Sequence, residues 1–449
     1  MNNYEFYSVA LNNVNLFFGI LVGSFLLHYF IFRKQVRSVL DPYFLPTLSS
    51  VFCLADVFLL YFTQNITLYV FSNYVFTQLA FILGLYTFNL KILSLKSPVP
   101  TLELRKRNIN ARLVAFYYYS FIYLFFQCLI YLLKGIPLFM ESRLETFASG
   151  GGAGILGRIT DVSSVISIYL FFSIIKLDKF RLTELPKYFI LMMIFCTFLL
   201  SGSKSSFLIV FNIFWCYIIF AIIKGQDYVS YLRLLKRNIK GILVLSLIVV
   251  TFIIYIQSRS VVDDPTSTGL NPILALGLRF VHSGDVYWYA YPNNVYLRIP
   301  SDHWFTALFD DTLGLLRLQS WDEMPQAIGI TLKNIHHPSD ILQGPNARHN
   351  IFGLIYYGYS GSIFFSFLIG LTLGFIRNKL PYMLPGNVLG GFIFTYLMCK
   401  GAAIDTDPML TITYFNNLVF IFPFLYFVYL IVMEFFKYNP LVEWSTTKR

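Results

Sequence analysis

A series of apolar segments, each about as long as a bilayer is thick, constrains this chain more than any other feature. A bilayer core of roughly 30 Å needs about 20 apolar residues in a helix. Eleven candidate transmembrane helices match that length, at residues 11–32, 44–62, 66–90, 113–133, 159–175, 187–201, 205–223, 241–257, 351–376, 386–404 and 409–433. The chain is therefore predicted to be an all-α integral membrane protein.

Composition excludes the soluble classes. Only 13% of the 449 residues are charged and 57% are hydrophobic, whereas soluble globular chains average about 25% charged residues. The five cysteines stand singly, without disulfide or metal-ligand spacing, so we expect no disulfide framework, no metal site and no cofactor. The first basic residue, Arg33, follows the first apolar segment, which is therefore expected to stay in the membrane rather than to be cleaved as a signal peptide.

The basic residues of the loops indicate the orientation. One side of the predicted membrane holds 23 of the 34 lysines and arginines, and the short loops of the other side hold five. The positive-inside rule then places the amino terminus outside and the carboxyl terminus in the cytoplasm. The net charge of +11 thus reflects topology, and we expect no nucleic-acid partner.

This topology divides the chain into three predicted parts. Residues 1–256 hold helices one to eight, including an outer loop at 134–158, and residues 257–350 form a large outer loop. Residues 351–449 hold the last three helices and a cytoplasmic tail. We expect the large loop to form short helices on the outer membrane surface, and to be functional because loops of this length usually are.

The outer loops carry most of the residues that could perform chemistry. The large loop holds five of the six histidines and nine of the 23 acidic residues. Cations predicted to share the outer face are Arg143, Arg158, Lys204, Arg279, Arg348 and Lys400. Because arginine pairs bidentately with phosphate, these side chains favour a diphosphate-binding site. The alternative for a lysine in a tight hairpin, such as Lys400, is a solvated turn residue.

Two ionisable residues, His28 and Asp56, stand inside otherwise apolar predicted helices. Such residues raise a functional hypothesis because they are costly in a membrane. A proton-coupled transporter normally needs several of them, and most of the predicted helices have none. We therefore expect Asp56 to be a paired structural acid.

The last third of the chain contains two motifs in succession. Gly344-Pro345-Asn346-Ala347-Arg348-His349-Asn350-Ile351-Phe352-Gly353 is followed by Tyr357-Gly358-Tyr359-Ser360-Gly361-Ser362. This region resembles the carboxyl-terminal signature of O-antigen polymerases, the oligosaccharide repeat-unit polymerases of bacterial surface polysaccharide synthesis, and is similar to the related O-antigen ligases. Shorter matches to the polymerases are Gly135-Ile136-Pro137, Ser201-Gly202-Ser203-Lys204, Arg279 with Ser283-Gly284-Asp285, and the arginine, ten residues, glycine pattern from Arg143 to Gly154.

The resemblance implies a GT-C-like bundle with a large helical periplasmic loop in the bacterial inner membrane. Its implied activity is a glycosyltransferase that polymerises undecaprenyl-diphosphate-linked oligosaccharide units at the periplasmic face, without a metal and with inversion. Membrane lipids and a chain-length-regulating co-polymerase are the implied partners.

The expected chemistry needs cations at the departing diphosphate and a base at the attacking hydroxyl, because a sugar diphosphate is already a good leaving group. We predict His349 as the base, and Arg348 with Arg143 and Arg279 as diphosphate ligands. Asp285 is the alternative base or orients His349. The other predicted substrate contacts are Arg158, Lys204, Asn346 and Asn350. Alternatively, His349 is a helix cap or bonds a loop carbonyl, the two asparagines are caps, and His336 and His337 are structural.

Three other functions stay open. An O-antigen ligase, which transfers glycan to lipid A core, would share the donor and the Arg-His region. A flippase or transporter for the same lipid-linked units should have a charge-lined central cavity, whereas the charges of this chain concentrate in the outer loops. A non-catalytic scaffold would leave the outer histidine and arginines unexplained.

Overall fold

The computed structural model describes residues 1–88, 109–140, 153–175, 182–201, 208–225, 280–320, 323–338 and 343–435, together with the single positions 244, 248, 251 and 278. These residues form helices joined by turns, and no strand occurs among them. Seven of the helices are long and apolar enough to cross a membrane. The chain is thus a multi-pass helical membrane protein.

The helices follow the apolar segments of the sequence. Their bounds are α1 Asn3–Asn12, α2 Val14–Phe32, α3 Phe44–Phe62, α4 Leu68–Tyr86, α5 Ile109–Lys134, α6 Ala153–Ile174, α7 Leu185–Leu200, α8 Leu208–Ile223, α9 Asp285–Ala290, α10 Trp304–Leu315, α11 Ile328–His336, α12 His349–Gly374, α13 Leu380–Met383, α14 Val388–Gly401, α15 Pro408–Asn416 and α16 Phe422–Phe435. Short π-helical segments, Phe375–Lys379 and Asn417–Ile421, follow α12 and α15.

Most of the predicted spans coincide with described helices. Ten of the eleven coincide in position, seven with long apolar helical segments and three with the shorter α7, α8 and α14, although one of the seven, 351–376, is interrupted at Gly358. The remaining predicted span, 241–257, falls almost entirely outside the described residues. The total of eleven therefore stays a prediction.

The chain divides into two compact units. Unit 1 comprises Met1–Leu90, Val250–Phe375 and Ala402–Thr413, and unit 2 comprises Lys91–Val249, Ile376–Gly401 and Tyr414–Arg449. Within unit 1, α4 packs along α12. Their backbones approach closely at Gly84 and Gly370, where any side chain would collide with the facing helix. Small residues allow this kind of close helix packing in membranes.

Helix α12 is not the continuous transmembrane helix that its apolar run predicts. Gly358 interrupts it with φ 66° and ψ −168°, a backbone conformation that is essentially restricted to glycine. His349 Nδ1 lies 2.9 Å from Ser366 Oγ, although seventeen residues of straight helix would span about 26 Å. The two arms, residues 349–357 and 359–374, therefore fold back on each other as a helical hairpin.

The small residues of the glycine-containing motif shape this hairpin. Gly353 lies so close to the second arm that a Cβ there would be 2.9 Å from the Cα and Cβ of Ser362. Phe352 of the first arm stacks on Phe365 of the second, with ring centroids 5.3 Å apart. The pairs that meet run in opposite directions along the chain, which confirms that the arms are antiparallel.

Helix α1 packs on the short helix α9 of the large loop. Asn3 Oδ1 accepts hydrogen bonds from Trp288 Nε1 at 3.0 Å and from Tyr289 OH at 2.8 Å. Phe6 stacks on the Trp288 ring with centroids 3.9 Å apart. Because Trp288 is fully buried, these contacts anchor this part of the loop to the amino-terminal helix.

In unit 2, α5 packs along α6, and α14 packs against α8. The core between these helices is aromatic and aliphatic, with Phe116, Tyr119, Phe392 and Tyr429 fully buried. Burial of such large side chains gives the unit its apolar interior. A polar cluster interrupts that interior, as described below.

Candidate functional site

Two motifs that the sequence marks as functional meet on one face of α3. Ser49 accepts a hydrogen bond at its side-chain oxygen from Arg348 Nη2. Its backbone oxygen accepts one from Ser283 Oγ at 3.3 Å. One turn further along α3, Cys53 Sγ lies 3.1 Å from the Ser283 carbonyl oxygen. The Arg-His-Asn and Ser-Gly-Asp motifs, about 60 residues apart in the chain, thus share a site in unit 1.

Arg348 is the cation of this site. It directly precedes α12, and only 4% of its surface is exposed. Its guanidinium donates to the hydroxyls of Ser49 and Ser50, the latter at 3.3 Å, and no carboxylate lies within ion-pair distance among the residues that the structure describes. A buried guanidinium held by neutral hydroxyls keeps its positive charge available to an anionic ligand.

His349 is more deeply placed than its predicted role requires. It is 2% exposed, its Nδ1 pairs with Ser366 Oγ at 2.9 Å, and its ring stacks on Phe81 at 5.1 Å. Its backbone N–H donates to the Asp405 carbonyl oxygen at 3.3 Å. The described partner of the imidazole ring is a serine side chain of the second hairpin arm, and the contact of His349 with a loop carbonyl is made by its backbone N–H.

Asn350 holds the first arm of the hairpin against its neighbours. Its Nδ2 donates to Thr77 Oγ1 of α4 at 2.8 Å, and its Oδ1 accepts from Tyr287 OH of α9 at 2.7 Å. The residue is completely buried. It is therefore not the helix cap considered as the alternative, since it lies inside the first turn of α12, whose N-cap is Arg348. Asn346, by contrast, is exposed.

Asp285 begins α9 beside this cluster. One carboxylate oxygen accepts the backbone N–H of Val286 at 2.9 Å, and the residue is half-buried. The preceding Gly284 packs directly against Asp56 of α3, where any Cβ would collide with Asp56 Oδ2. The glycine of the Ser-Gly-Asp motif is thus needed for close approach to α3.

Asp405 completes the site from the segment that follows α14. It is 2% exposed, and burial raises the pKa of its carboxyl from 3.8 to about 6, against the opposing effect of Arg348. Two residues later, burial also raises the pKa of Asp407 to about 6. Both groups titrate close to neutral pH, so the charge near Arg348 depends on pH in that range.

A second polar cluster lies within unit 2, around Asp161 of α6. Its carboxylate pairs with Lys400 of α14 and accepts hydrogen bonds from Tyr396 OH at 2.5 Å and Asn417 Nδ2 at 3.2 Å. Arg158 Nη1 donates to Asn417 Oδ1 at 3.1 Å. Lys400 is therefore not the solvated turn residue considered from sequence, since its side chain is only 15% exposed and forms an ion pair. Nothing in the local sequence pattern links Asp161 to Lys400.

Five residues considered from sequence remain, namely Arg143, Lys204, Arg279, His336 and His337. Arg143, Lys204 and Arg279 lie outside the described residues. His336 Nε2 donates to the Tyr289 carbonyl oxygen at 2.8 Å and its ring stacks on the Tyr289 ring, a structural role of the kind considered from sequence. His337 is exposed.

Sequence reasoning missed the part of the site that α3 contributes. Ser49, Cys53 and Asp56 follow one another at intervals of four and three residues, which places them on one helical face. That spacing is the signal that could have found them, because three non-aliphatic side chains aligned along a membrane helix mark a polar face. Comparison with known proteins finds no matching family model, no matching curated protein and no matching solved structure.

Proposed function

We propose that this protein is a membrane glycosyltransferase that polymerises oligosaccharide units carried on a lipid diphosphate. The observation that carries the proposal is the meeting of the Arg348-His349-Asn350 and Ser283-Gly284-Asp285 motifs on Ser49 and Cys53 of α3. This arrangement supplies a buried cation and a carboxylate within one cluster. These are the two kinds of group that glycosyl transfer from a diphosphate requires.

The proposed reaction joins two lipid-linked units. A hydroxyl oxygen of the incoming unit attacks the anomeric carbon of the growing chain. The bond from that carbon to the diphosphate oxygen breaks, and its electron pair leaves with the lipid diphosphate. The hydroxyl proton passes to a protein base, so one glycosidic bond replaces one glycosyl phosphate bond. In the bacterial inner membrane, the resemblance makes undecaprenyl diphosphate the carrier.

Arg348 acts on the departing diphosphate in this scheme. Its fork of donors matches phosphate oxygens better than a lysine ammonium does. Because the guanidinium is 4% exposed and held by Ser49 and Ser50, it is oriented before substrate arrives. Preorganised charge of this kind stabilises the negative charge that develops during the reaction.

Of the two predicted bases, Asp285 fits the geometry better. It is half-buried at the start of α9, whereas His349 has one ring nitrogen paired to Ser366 and one ring face on Phe81. We assign His349 to closing the hairpin and Asp285 to accepting the proton. Both roles predict loss of activity on substitution, but only the first predicts loss of hairpin stability.

The test is polymerisation by the purified protein, in detergent with EDTA, of lipid-diphosphate-linked repeat units, read as a ladder by gel or mass spectrometry. Asp285→Asn should abolish the ladder and leave the thermal unfolding midpoint unchanged. Asp302→Asn, at a largely exposed acid of the same loop, is the matched control and should polymerise normally. A ladder from Asp285→Asn would transfer the role to His349, and no ladder from folded wild type would refute polymerisation. A lipid A core acceptor added to that reaction then tests the ligase alternative.

Transport of the lipid-linked units is the second candidate, and the largely buried Lys400–Asp161 pair favours it. Charged side chains inside apolar membrane helices commonly belong to substrate or ion pathways. Reconstitution into vesicles, with accessibility of a labelled lipid-linked sugar as the readout, tests this candidate. Movement of the sugar across the bilayer without polymer formation would replace the glycosyltransferase proposal.

A further inference from the structure

Helix α10 of the large loop turns large apolar side chains outward. Its neighbours in the loop do not: α9 buries every residue from Val286 to Ala290, and α11 has no exposed residue. In the described part of this loop, the exposed large apolar side chains all lie within residues 297–318 and are between 45% and 71% exposed. They are Leu297, Trp304, Phe305, Leu316 and Leu318. Exposed apolar surface of this kind marks a contact with a membrane or with another protein.

The amphipathic pattern of α10 is the reverse of that of a surface helix in a soluble protein. Its buried residues are Ala307, Asp311 and Gly314, which are two small residues and an acid. Phe305, within the first turn, and Leu316, which follows the last turn, are exposed instead. A surface helix of a soluble protein normally buries its large apolar residues and exposes its charges. The exposed face of α10 therefore has the composition of a helix face that contacts lipid.

Contacts between aromatic rings place α10 at one end of the membrane spans. Trp304 packs on Tyr357, with ring centroids 5.7 Å apart, and Tyr357 directly precedes the reversal of the hairpin at Gly358. On the other side of that glycine, Tyr359 packs on Tyr69 in the first turn of α4, with centroids 4.9 Å apart. Because α4 is long and apolar enough to cross a membrane, its first turn marks one boundary of the bilayer core. Trp304 thus lies near that boundary, where tryptophan and tyrosine are enriched in membrane proteins.

The charged residues beside the apolar ones also fit a lipid surface. Arg298 follows Leu297, Arg317 lies between Leu316 and Leu318, and both arginines are exposed. At a membrane boundary, arginine side chains extend to the headgroup phosphates while neighbouring leucines enter the apolar layer. A water-soluble partner would have to displace the lipid that already surrounds the spans at this level. Lipid is therefore the occupant that the position of α10 favours.

We propose that α10 lies in the interface of the bilayer, at the end of the spans where Gly358 reverses the hairpin, with Phe305 and Leu316 directed into the acyl chains. Interfacial helices bury their apolar face about 5–10 Å into the boundary between headgroups and acyl chains. Through the contact of Trp304 with Tyr357, α10 then holds the turn of the hairpin at the membrane surface. The basic residues of the loops predict that this surface belongs to the outer leaflet. The inference is independent of the proposed glycosyl transfer, because it involves no step of that reaction.

Spin labels on the full-length protein in liposomes test this placement. Phe305→Cys and Leu316→Cys carry the label on the proposed lipid face. Leu79→Cys, at an exposed position inside α4, is the lipid reference, and Asp302→Cys, at a largely exposed acid two residues before α10, is the water reference. The cysteines that are not buried are first replaced by alanine; these are Cys128, Cys196 and Cys399. Each labelled protein is compared with wild type by thermal unfolding, and Leu318→Cys, also on an exposed leucine, replaces a variant that does not fold.

The readout is relaxation of each label by oxygen, which concentrates among acyl chains, and by a nickel chelate, which stays in water. Labels at Phe305 and Leu316 should be relaxed more by oxygen than by nickel, as at Leu79, and the label at Asp302 should show the reverse. Stronger relaxation by nickel at both positions would overturn the proposal, because α10 would then lie in water. Weak relaxation by both reagents would also overturn it, because protein would then cover this face. In that case, spectral broadening that disappears on dilution with unlabelled protein would identify the cover as a second copy of the chain.

Discussion

Replacing Gly358 by alanine tests the helical hairpin directly. A hairpin and a continuous helix at these residues predict changes of opposite sign in the free energy of unfolding. In the hairpin, Gly358 has φ 66° and ψ −168°. An alanine there would be strained by about 1–3 kcal/mol. Alanine also has less conformational freedom than glycine in the unfolded chain, which offsets about 0.4–1 kcal/mol of that destabilisation. The expected net loss is about 1–2 kcal/mol, and it is purely conformational because nothing lies within 4 Å of the added methyl group.

A continuous transmembrane helix at the same residues would give the opposite result. There, alanine would be the better helix former by about 1 kcal/mol. Gly23 of α2 provides the matched control, because it lies inside an uninterrupted helix and also has nothing within 4 Å of an added methyl group. Gly23→Ala should therefore be neutral or stabilising.

The assay is thermal unfolding of each purified variant in the same detergent, followed by tryptophan fluorescence. Gly358→Ala should unfold several degrees below wild type, and Gly23→Ala at or above it. A Gly358→Ala midpoint equal to that of Gly23→Ala would refute the hairpin. Comparison at several detergent concentrations separates this effect from altered detergent binding, which would affect both variants alike.

Three further outcomes follow from other contacts. The pKa of Asp405 is about 6 in the folded protein and 3.8 ordinarily, so the folded state binds the proton more tightly. The free energy of unfolding should therefore fall by about 3 kcal/mol as pH rises from about 4 to 6. In a thermal unfolding series across that pH range, Asp405→Asn should show a shallower decrease than wild type. Asn3→Ala removes the hydrogen bond to Trp288, so the free energy of unfolding should fall by about 1–3 kcal/mol. A tryptophan emission maximum unchanged from wild type would argue against that contact. Lys400→Met leaves the largely buried Asp161 without its cation and should lower the free energy of unfolding by about 3–5 kcal/mol. The double variant with Asp161→Asn should recover most of the unfolding midpoint, and failure to recover would show that the ion pair is not the cause.

The positions of the helices could be predicted from sequence because hydrophobic length is a local property. The reversal at Gly358 could not, because glycine is also common in straight membrane helices. The motif Tyr357–Ser362 by itself predicts a glycine-containing helix. What distinguishes a hairpin is the contact of His349 with Ser366, and this depends on tertiary packing.

Part of the site could likewise be predicted from the sequence. Their motifs predict Arg348 and Asp285 as site residues, and the structure brings both motifs to α3. The depth of His349 was not foreseen, since its place before an apolar run suggested the membrane surface. The sequence predicts a paired structural acid at Asp56, yet its carboxyl group has no hydrogen-bond donor among the described residues. Burial and pairing of this kind depend on residues far apart in the chain.

The contact between α4 and the hairpin also bears on the order in which the protein is made. Thr77 and Asn350 are 273 residues apart and share a buried hydrogen bond. During synthesis, α4 enters the membrane long before its partner is made. Asn73 and Thr77 are completely buried in the folded protein, and until then their side chains lack their final hydrogen-bond partners. Such long-range contacts slow folding and leave intermediates exposed. A ribosome-stalled chain ending before Asn350 should therefore present these polar side chains to insertion factors and membrane proteases.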